Sequence, residues 1–205
     1  MPQVLVPLAR VDRWVANFER RHGDTGLTVA DGALVGGAED GSTFRIRLPF
    51  GRPYDGPAQA DALLAEAREP ATWGVLLVRK GGFAVARVAD GRVVESKVGR
   101  RHVQGRSKAG GQSQQRFARR RENQARDAFG AAADHAARIL GTGVELLVTG
   151  GDRQAVAAVL RDARLRDLPD PLEDFHAVPD PRRDVLDAVV ADARSVRIDV
   201  LDTTH

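Results

Sequence analysis

The sequence contains no cysteine, and this absence excludes several kinds of site at once. Without thiols the chain can form no disulfide framework, no zinc–thiolate site and no cysteine nucleophile. Aromatic residues make up only 5% of the chain, so its core must be mainly aliphatic. With 42% hydrophobic and 29% charged residues, the composition is typical of a globular protein. Because the chain has no cysteine, we expect a cytoplasmic location.

Long apolar runs are also missing. The N-terminal stretch MPQVLVPLARVDRW is too short and too interrupted to be expected as a signal peptide. No stretch approaches the roughly 20 apolar residues that a membrane-spanning helix needs. A chain of 205 residues is long enough for one large domain or two small ones.

Charge is distributed very unevenly along the chain. Of its 31 basic and 28 acidic residues, ten basic and one acidic side chain fall within residues 97–126, so the remainder carries a small excess of acids. The basic residues are Lys97, Arg100, Arg101, Arg106, Lys108, Arg116, Arg119, Arg120, Arg121 and Arg126. A strongly basic element on a mildly acidic body indicates contact with a polyanion, although a solvated run of charge remains the alternative.

The first 70 residues predict a small N-terminal α+β region of undefined role. Residues 10–23 place Val11, Trp14 and Phe18 at helical spacing. Residues 42–50 alternate apolar and polar side chains as a half-buried strand does, and residues 58–70 read as a second helix that ends at a proline.

Residues 71–205 predict a second, mixed α/β (α+β) domain. Three strands are expected in 73–99, with turns at Lys80-Gly81-Gly82 and Asp90-Gly91, and together they form a β-meander. A loop over 104–115 and a long helix over 115–140 follow. The remaining expected elements alternate between strands (144–151, 174–179, 195–201) and helices (153–163, 182–193).

The long helix begins with cations, against its own dipole. Arg116, Arg119 and Arg120 share one face of its first turns, where the dipole favours acidic side chains. A docked phosphate backbone would remove this conflict. Alternatively, the arginine stems pack on the meander and their charged ends stay in water.

The tripeptide Gly110-Gly111-Gln112 lies between the basic strand end and the basic helix. Two consecutive glycines allow backbone conformations closed to other residues and let the main chain approach a ligand closely. By itself so short a motif is weak, and its context strengthens it.

The stretch GRSKAGGQSQQRFARRRENQ, residues 105–124, resembles a known family. A meander, a basic loop with Gly-Gly-Gln and a helix that begins with arginines are similar to the catalytic middle domain of archaeal/eukaryotic-type peptide chain release factors. The resemblance is closer to the release-factor-like peptidyl-tRNA hydrolases of the Vms type, which rescue stalled ribosomal complexes. It covers about residues 70–200.

This resemblance implies hydrolysis of the ester between a nascent peptide and tRNA on the large ribosomal subunit. The implied catalytic residues are Gln112, whose backbone N–H would donate to the oxyanion, with Gly110 and Gly111 admitting the backbone. The implied RNA contacts are Arg100, Arg101, Arg106, Lys108, Arg116, Arg119, Arg120 and Arg121. No metal or other cofactor is expected. The family's codon-reading domain has no counterpart here, so we expect codon-independent action.

Two alternatives stay open at this stage. Some Vms-type members cut the tRNA near its CCA end, and a non-catalytic RNA- or ribosome-binding module would use the arginines alone. Among other candidates, His102 could act as a general acid or base or be part of a basic surface. The acidic stretch 167–175 could bind Mg²⁺, but its prolines favour a solvated loop.

Overall fold

The computed structural model describes residues 2–100 and 129–203. They fold into two compact units, one of residues 2–69 with 190–203 and one of residues 70–100 with 129–189. Each unit is built around its own five-stranded sheet. The mixed α+β architecture expected from the sequence is confirmed.

The first unit contains an antiparallel sheet in the order β1-β10-β4-β3-β2. Its strands are β1 (Gln3–Val6), β2 (Thr25–Ala30), β3 (Ala33–Ala38), β4 (Thr43–Arg47) and β10 (Val196–Leu201). Its helices are α1 (Val11–His22) and α2 (Ala60–Glu66). The helix α1 ends at Gly23, whose φ of 91° lies in the region that favours glycine.

One face of this sheet packs against the two helices. Phe18 of α1 lies edge-on to Phe44 of β4, with ring centroids 4.8 Å apart, and Trp14 meets the same ring at 5.2 Å. Leu63 of α2 is also fully buried between the helices and the sheet, in the hydrophobic core of this unit, which we call the first core. The alternation of Phe44 and Ile46 toward the helices fixes which face of β4 is buried.

The second unit contains a mixed sheet in the order β7-β6-β5-β8-β9. Its strands are β5 (Thr72–Arg79), β6 (Gly82–Ala89), β7 (Arg92–Arg100), β8 (Leu146–Gly151) and β9 (Pro171–His176). Its helices are α3, described over residues 129–140, α4 (Arg153–Leu160) and α5 (Arg183–Ala193), which continues into the first unit. The antiparallel meander β5–β6–β7 is the one expected from the sequence, and β8 and β9 add to it in parallel.

The last strand is a correction to the sequence analysis. Residues 195–201 were expected to belong to the 71–205 domain, but β10 pairs with β1 and β4 in the first sheet. Alternating apolar residues decide which face of a strand is buried, and they do not identify its partners. The strand β9 also begins at Pro171, within the stretch 167–175 that was expected to be a loop.

Among residues 2–100 and 129–203, no helix combines the length and apolar character needed to cross a membrane.

The two tryptophans lie in apolar surroundings: Trp73 is fully buried, and Trp14 packs on the first core.

Candidate functional site

Most of the candidate site falls outside the described residues. This applies to Gly110, Gly111 and Gln112, to His102, and to seven of the eight expected RNA contacts. Those seven are Arg101, Arg106, Lys108, Arg116, Arg119, Arg120 and Arg121. Arg100 is described: it is the last residue of β7 and is exposed.

The chain leaves the second sheet at a well-defined edge. Because β5 and β7 both run antiparallel to β6, the end of β5 at Arg79 and the end of β7 at Arg100 lie beside the start of β6 at Gly82. The parallel strand β8 ends at the same edge with Gly151. We call this end of the strands the carboxyl edge of the second sheet; it is distinct from the sides of the sheet, which are formed by the outer strands β7 and β9.

The chain returns through α3, which runs away from the carboxyl edge. His135 stacks on Phe83 near that edge, with ring centroids 5.5 Å apart. Leu140, at the other end of the helix, lies beside Gly74 near the start of β5. At about 1.5 Å per residue, Phe129 therefore lies about 9 Å beyond His135, toward the carboxyl edge. The described residues on both sides of 101–128, Arg100 and Phe129, thus both lie toward the carboxyl edge of the second sheet.

The end of β7 is held by close backbone packing. Gly99 pairs with Phe83, and the Phe83 ring lies directly over it: a Cβ on Gly99 would sit 2.5 Å from the ring's Cζ and nearer still to Cε1. A Cβ on Gly82 would likewise sit 2.5 Å from the carbonyl oxygen of Gly99. Only glycine fits at these two positions without a shift of the neighbouring atoms.

Helix α3 is fixed by both packing and hydrogen bonds. Ala132, Ala136 and Ile139 are buried against the second sheet, in the hydrophobic core of the second unit. At its end, the guanidinium of Arg87 donates to the carbonyl oxygens of Leu140 and of Thr142, the latter at 3.0 Å. Small alanines let the helix approach the sheet closely, and Arg87 satisfies carbonyl groups that the helix leaves unpaired.

Ion pairs attach α3 to its neighbours on both sides. Arg138 pairs with Glu95 of β7. Arg164, after α4, pairs with Asp134 of α3 at 2.8 Å and with Asp162 at 2.7 Å. Hydrogen bonds from Arg164, chiefly from its side chain and secondly from its backbone N–H, lower the pKa of Asp162 to about 2.

Several other charged groups lie at the carboxyl edge. The guanidinium of Arg79 donates to the carbonyl oxygen of Val178 at 2.6 Å and lies 3.7 Å from the carboxylate of Asp180. Arg153, at the start of α4, lies over the ring of Phe175 at 4.3 Å. Both arginines already have partners close by. Arg100 differs from them because it belongs to the basic segment 97–126 and is its last described residue before 101–128.

The described part of the chain contains no group of three or more His, Asp or Glu side chains that could hold a metal ion. The stretch 167–175, considered as a Mg²⁺ site, is divided between a loop and β9. Of the three described histidines, His22 bonds Asp40 at 2.8 Å in the first unit, His135 stacks on Phe83 in the second, and His176 is the last residue of β9.

Residues 71–199 match the family described as the Actinobacteria/chloroflexi VLRF1 release factor. The chain belongs to this family. Membership confirms the release-factor-like resemblance seen in the sequence, and it gives the chain a ribosome-related, release-factor-like role that implies interaction with the ribosome.

Two solved structures are similar to this chain. The Vms1 mitochondrial localization core shares 13% identity with a TM-score of 0.46, over 96% of this chain and 82% of that one. The archaeal translation termination factor aRF1 shares 11% identity with a TM-score of 0.36, over 94% of this chain and 66% of that one. No curated protein matches the sequence.

Proposed function

We propose that this protein is a codon-independent peptidyl-tRNA hydrolase that releases nascent peptides from stalled large ribosomal subunits in the cytoplasm. One observation carries the proposal: Gly110-Gly111-Gln112 lies in a strongly basic segment, inside the part of the chain that matches a release-factor family. The wider release-factor role comes from the family, and the specific reaction is our inference from these three residues.

The proposed reaction is the attack of water on an ester. The water oxygen bonds to the carbonyl carbon of the peptidyl group, the bond to the 3′-terminal ribose oxygen breaks, and that oxygen takes up the proton that the water loses. An ester is more reactive than an amide, so a positioned water and a stabilised oxyanion matter more than a strong base. In our proposal the backbone N–H of Gln112 donates to the oxyanion, while its side-chain amide positions the water.

The basic residues would hold RNA phosphates during this reaction. Arg100 is exposed at the end of β7, and Arg101, Arg106 and Lys108 follow it along the chain. Arg116, Arg119, Arg120 and Arg121 complete the set. Arginine suits this role because its planar guanidinium donates two parallel hydrogen bonds to a phosphate.

The described structure supports the proposal by providing a fixed base for this segment. The packing of Gly99 on Phe83, and of Phe83 on His135, connects the residues that precede and follow 101–128. A rigid base at both ends reduces the conformational freedom that a catalytic segment must lose when it binds.

The proposal is tested by offering the purified protein peptidyl-tRNA bound to isolated large subunits and resolving both the peptide and the RNA 3′ end. We expect peptide release with an intact CCA end, and loss of release in Gln112→Ala. Gln114→Ala is a matched control, because it removes the same side chain two residues away and should retain activity.

Other outcomes would overturn the proposal. Release together with a shortened tRNA would identify an endonuclease that removes the CCA end. Tight binding without release by any variant would identify a non-catalytic RNA- or ribosome-binding module. Equal release by wild type and Gln112→Ala would remove Gln112 from the reaction.

A further inference from the structure

The strand β2 forms one edge of the first sheet, and among the described strands none pairs with its outer side. In the described part of the chain, β2 has β3 as its single strand neighbour. Its six residues, Thr25–Ala30, include no charged residue and no proline, and its pairing with β3 runs without a register shift. An edge of this kind presents unpaired backbone donors and acceptors to any extended strand that approaches it.

The other three sheet edges in residues 2–100 and 129–203 carry features that oppose strand addition. The strand β1 has only four residues, between Pro2 and Pro7. The strand β7 carries several charged side chains and an irregularity opposite Arg87 and Val88. The strand β9 begins with Pro171, carries acidic side chains and also has a register shift. The strand β2 therefore stands apart as an edge without protection.

The register shows which backbone groups of β2 face outward. A two-residue turn, Asp31-Gly32, joins β2 to β3, and both of its residues have positive φ (49° and 69°). Such a turn makes Ala30 and Ala33 a hydrogen-bonded pair, and every second pair along the ladder is bonded likewise. The backbone N–H of Glu39, which donates to the carbonyl oxygen of Asp24 at 3.1 Å, continues the same series.

The even-numbered residues of β2 thus bond to β3, and the odd-numbered ones face away from it. Thr25, Leu27 and Val29 each direct a backbone N–H and C=O toward the open side. Their side chains point to the core face, where Leu27 and Val29 are only partly buried against the first core. The even-numbered Gly26 and Thr28 lie on the opposite face of the sheet. That face is uncovered beside them, because a Cβ on neighbouring Gly37 would meet no atom within 4 Å.

We propose that the β2 edge binds the β2 edge of a second copy of this chain, in antiparallel pairing about a two-fold axis at Leu27. In this register Leu27 faces its symmetry mate and Thr25 faces Val29 of the other copy. Every outward-facing donor then meets an outward-facing acceptor. A two-fold interface uses the same patch on both subunits and closes after two chains.

The side chains favour a copy of β2 as the occupant. The strand carries no charge that would select an oppositely charged peptide, and for the same reason two copies meet without like charges over the five residues Thr25–Val29. In this register Asp24 faces Ala30 of the other copy, and Asp31 lies one position beyond β2, where it is already paired with Arg45 at 3.2 Å. The half-buried side chains of Leu27 and Val29 pair well with apolar and β-branched side chains on a neighbouring strand. A second copy of β2 provides such side chains.

The first test measures the mass of the whole chain by sedimentation equilibrium over a range of concentrations. We expect a monomer–dimer equilibrium, and Thr28→Lys should weaken it about fivefold or more. In the proposed register the two introduced lysines are diagonal neighbours on one face, within reach of each other. Thr43→Lys is the matched control: Thr43 lies on the same sheet face but on the interior strand β4, so dimerisation should be unchanged.

The second test identifies the interface by amide hydrogen exchange at low and high protein concentration. Exchange at Thr25, Leu27 and Val29 should slow as the dimer forms, whereas exchange at the amides already bonded to β3 should change little. A chain that stays monomeric at all concentrations would overturn the proposal. So would a dimer that tolerates Thr28→Lys, or one that forms without this alternating protection.

Discussion

The contact between Gly99 and Phe83 leads to a quantitative prediction about the base of the candidate site. In Gly99→Ala the new Cβ would lie 2.5 Å from Cζ of Phe83, whereas carbon atoms in contact normally lie about 3.5–4.0 Å apart. The ring must therefore retreat by about 1 Å. It is 5% exposed and stacked on His135, so it has little room to do so.

The cost follows from two opposing effects. Overpacking a filled core costs about 1–3 kcal/mol, and replacing a strand glycine by alanine returns about 0.5–1 kcal/mol through the backbone. We expect Gly99→Ala to lower the free energy of unfolding by about 1–2 kcal/mol. Urea unfolding would measure this, followed by the fluorescence of Trp73 in a Trp14→Phe background, so that the signal reports on the second unit alone.

A double-mutant cycle separates this contact from a general effect of the substitution. In a Phe83→Leu background the ring is gone, so Gly99→Ala should no longer destabilise the protein and should show only the backbone gain of about 0.5–1 kcal/mol. Gly130→Ala is the matched control in the same unit, because its Cβ would meet no atom within 4 Å, and there alanine should stabilise the helix by about 1 kcal/mol. If Gly99→Ala costs the same with and without the Phe83 ring, the packing argument fails.

Three further predictions concern caps, pH and RNA. Asp152 accepts hydrogen bonds from the first backbone N–H groups of α4, at 2.9 and 3.1 Å, so Asp152→Ala should cost about 1 kcal/mol in urea unfolding while Asp152→Asn costs less. The pKa of Asp162 is lowered from 3.8 to about 2 by Arg164, so its stabilisation is present above pH 3.8 and is lost as the pH falls toward 2. NMR titration should show this low pKa, and Asp162→Asn should lose less stability than wild type over that range; a titration near 3.8 would contradict the pairing. Arg119→Ala should reduce the slope of log affinity for RNA against log salt by about 1, and a flat salt dependence in wild type would remove the phosphate contacts.

The sequence predicted the second unit better than the first. The turn at Asp90-Gly91 has φ values of 48° and 73°, as a tight hairpin requires, and the meander around it is confirmed. In the first unit, the hairpin of β2 and β3 was missed, although Asp31-Gly32 provides the same signal. The strand β3 contains Gly36 and Gly37, which weaken the alternation that identifies a strand.

The partners of β10 could not be predicted from local pattern. Its alternation of Val196, Ile198 and Val200 shows a strand with one apolar face, but its neighbours β1 and β4 lie more than 140 residues away along the chain. The contact that anchors the end of β7 could not be predicted from the sequence either. The cross-strand contact of Gly99 and Phe83 depends on a register that the meander pattern does not fix.

The most direct test of the proposed function is the single-turnover rate of peptide release from large subunits, measured together with the affinity for those subunits. We expect Gln112→Ala to reduce the rate at least about a hundredfold, the scale of losing one positioned polar group, while its affinity stays close to that of wild type. Such a separation of rate from binding would place Gln112 in the chemical step. An unchanged rate, or a rate that falls only in proportion to affinity, would contradict the proposal that this segment is catalytic.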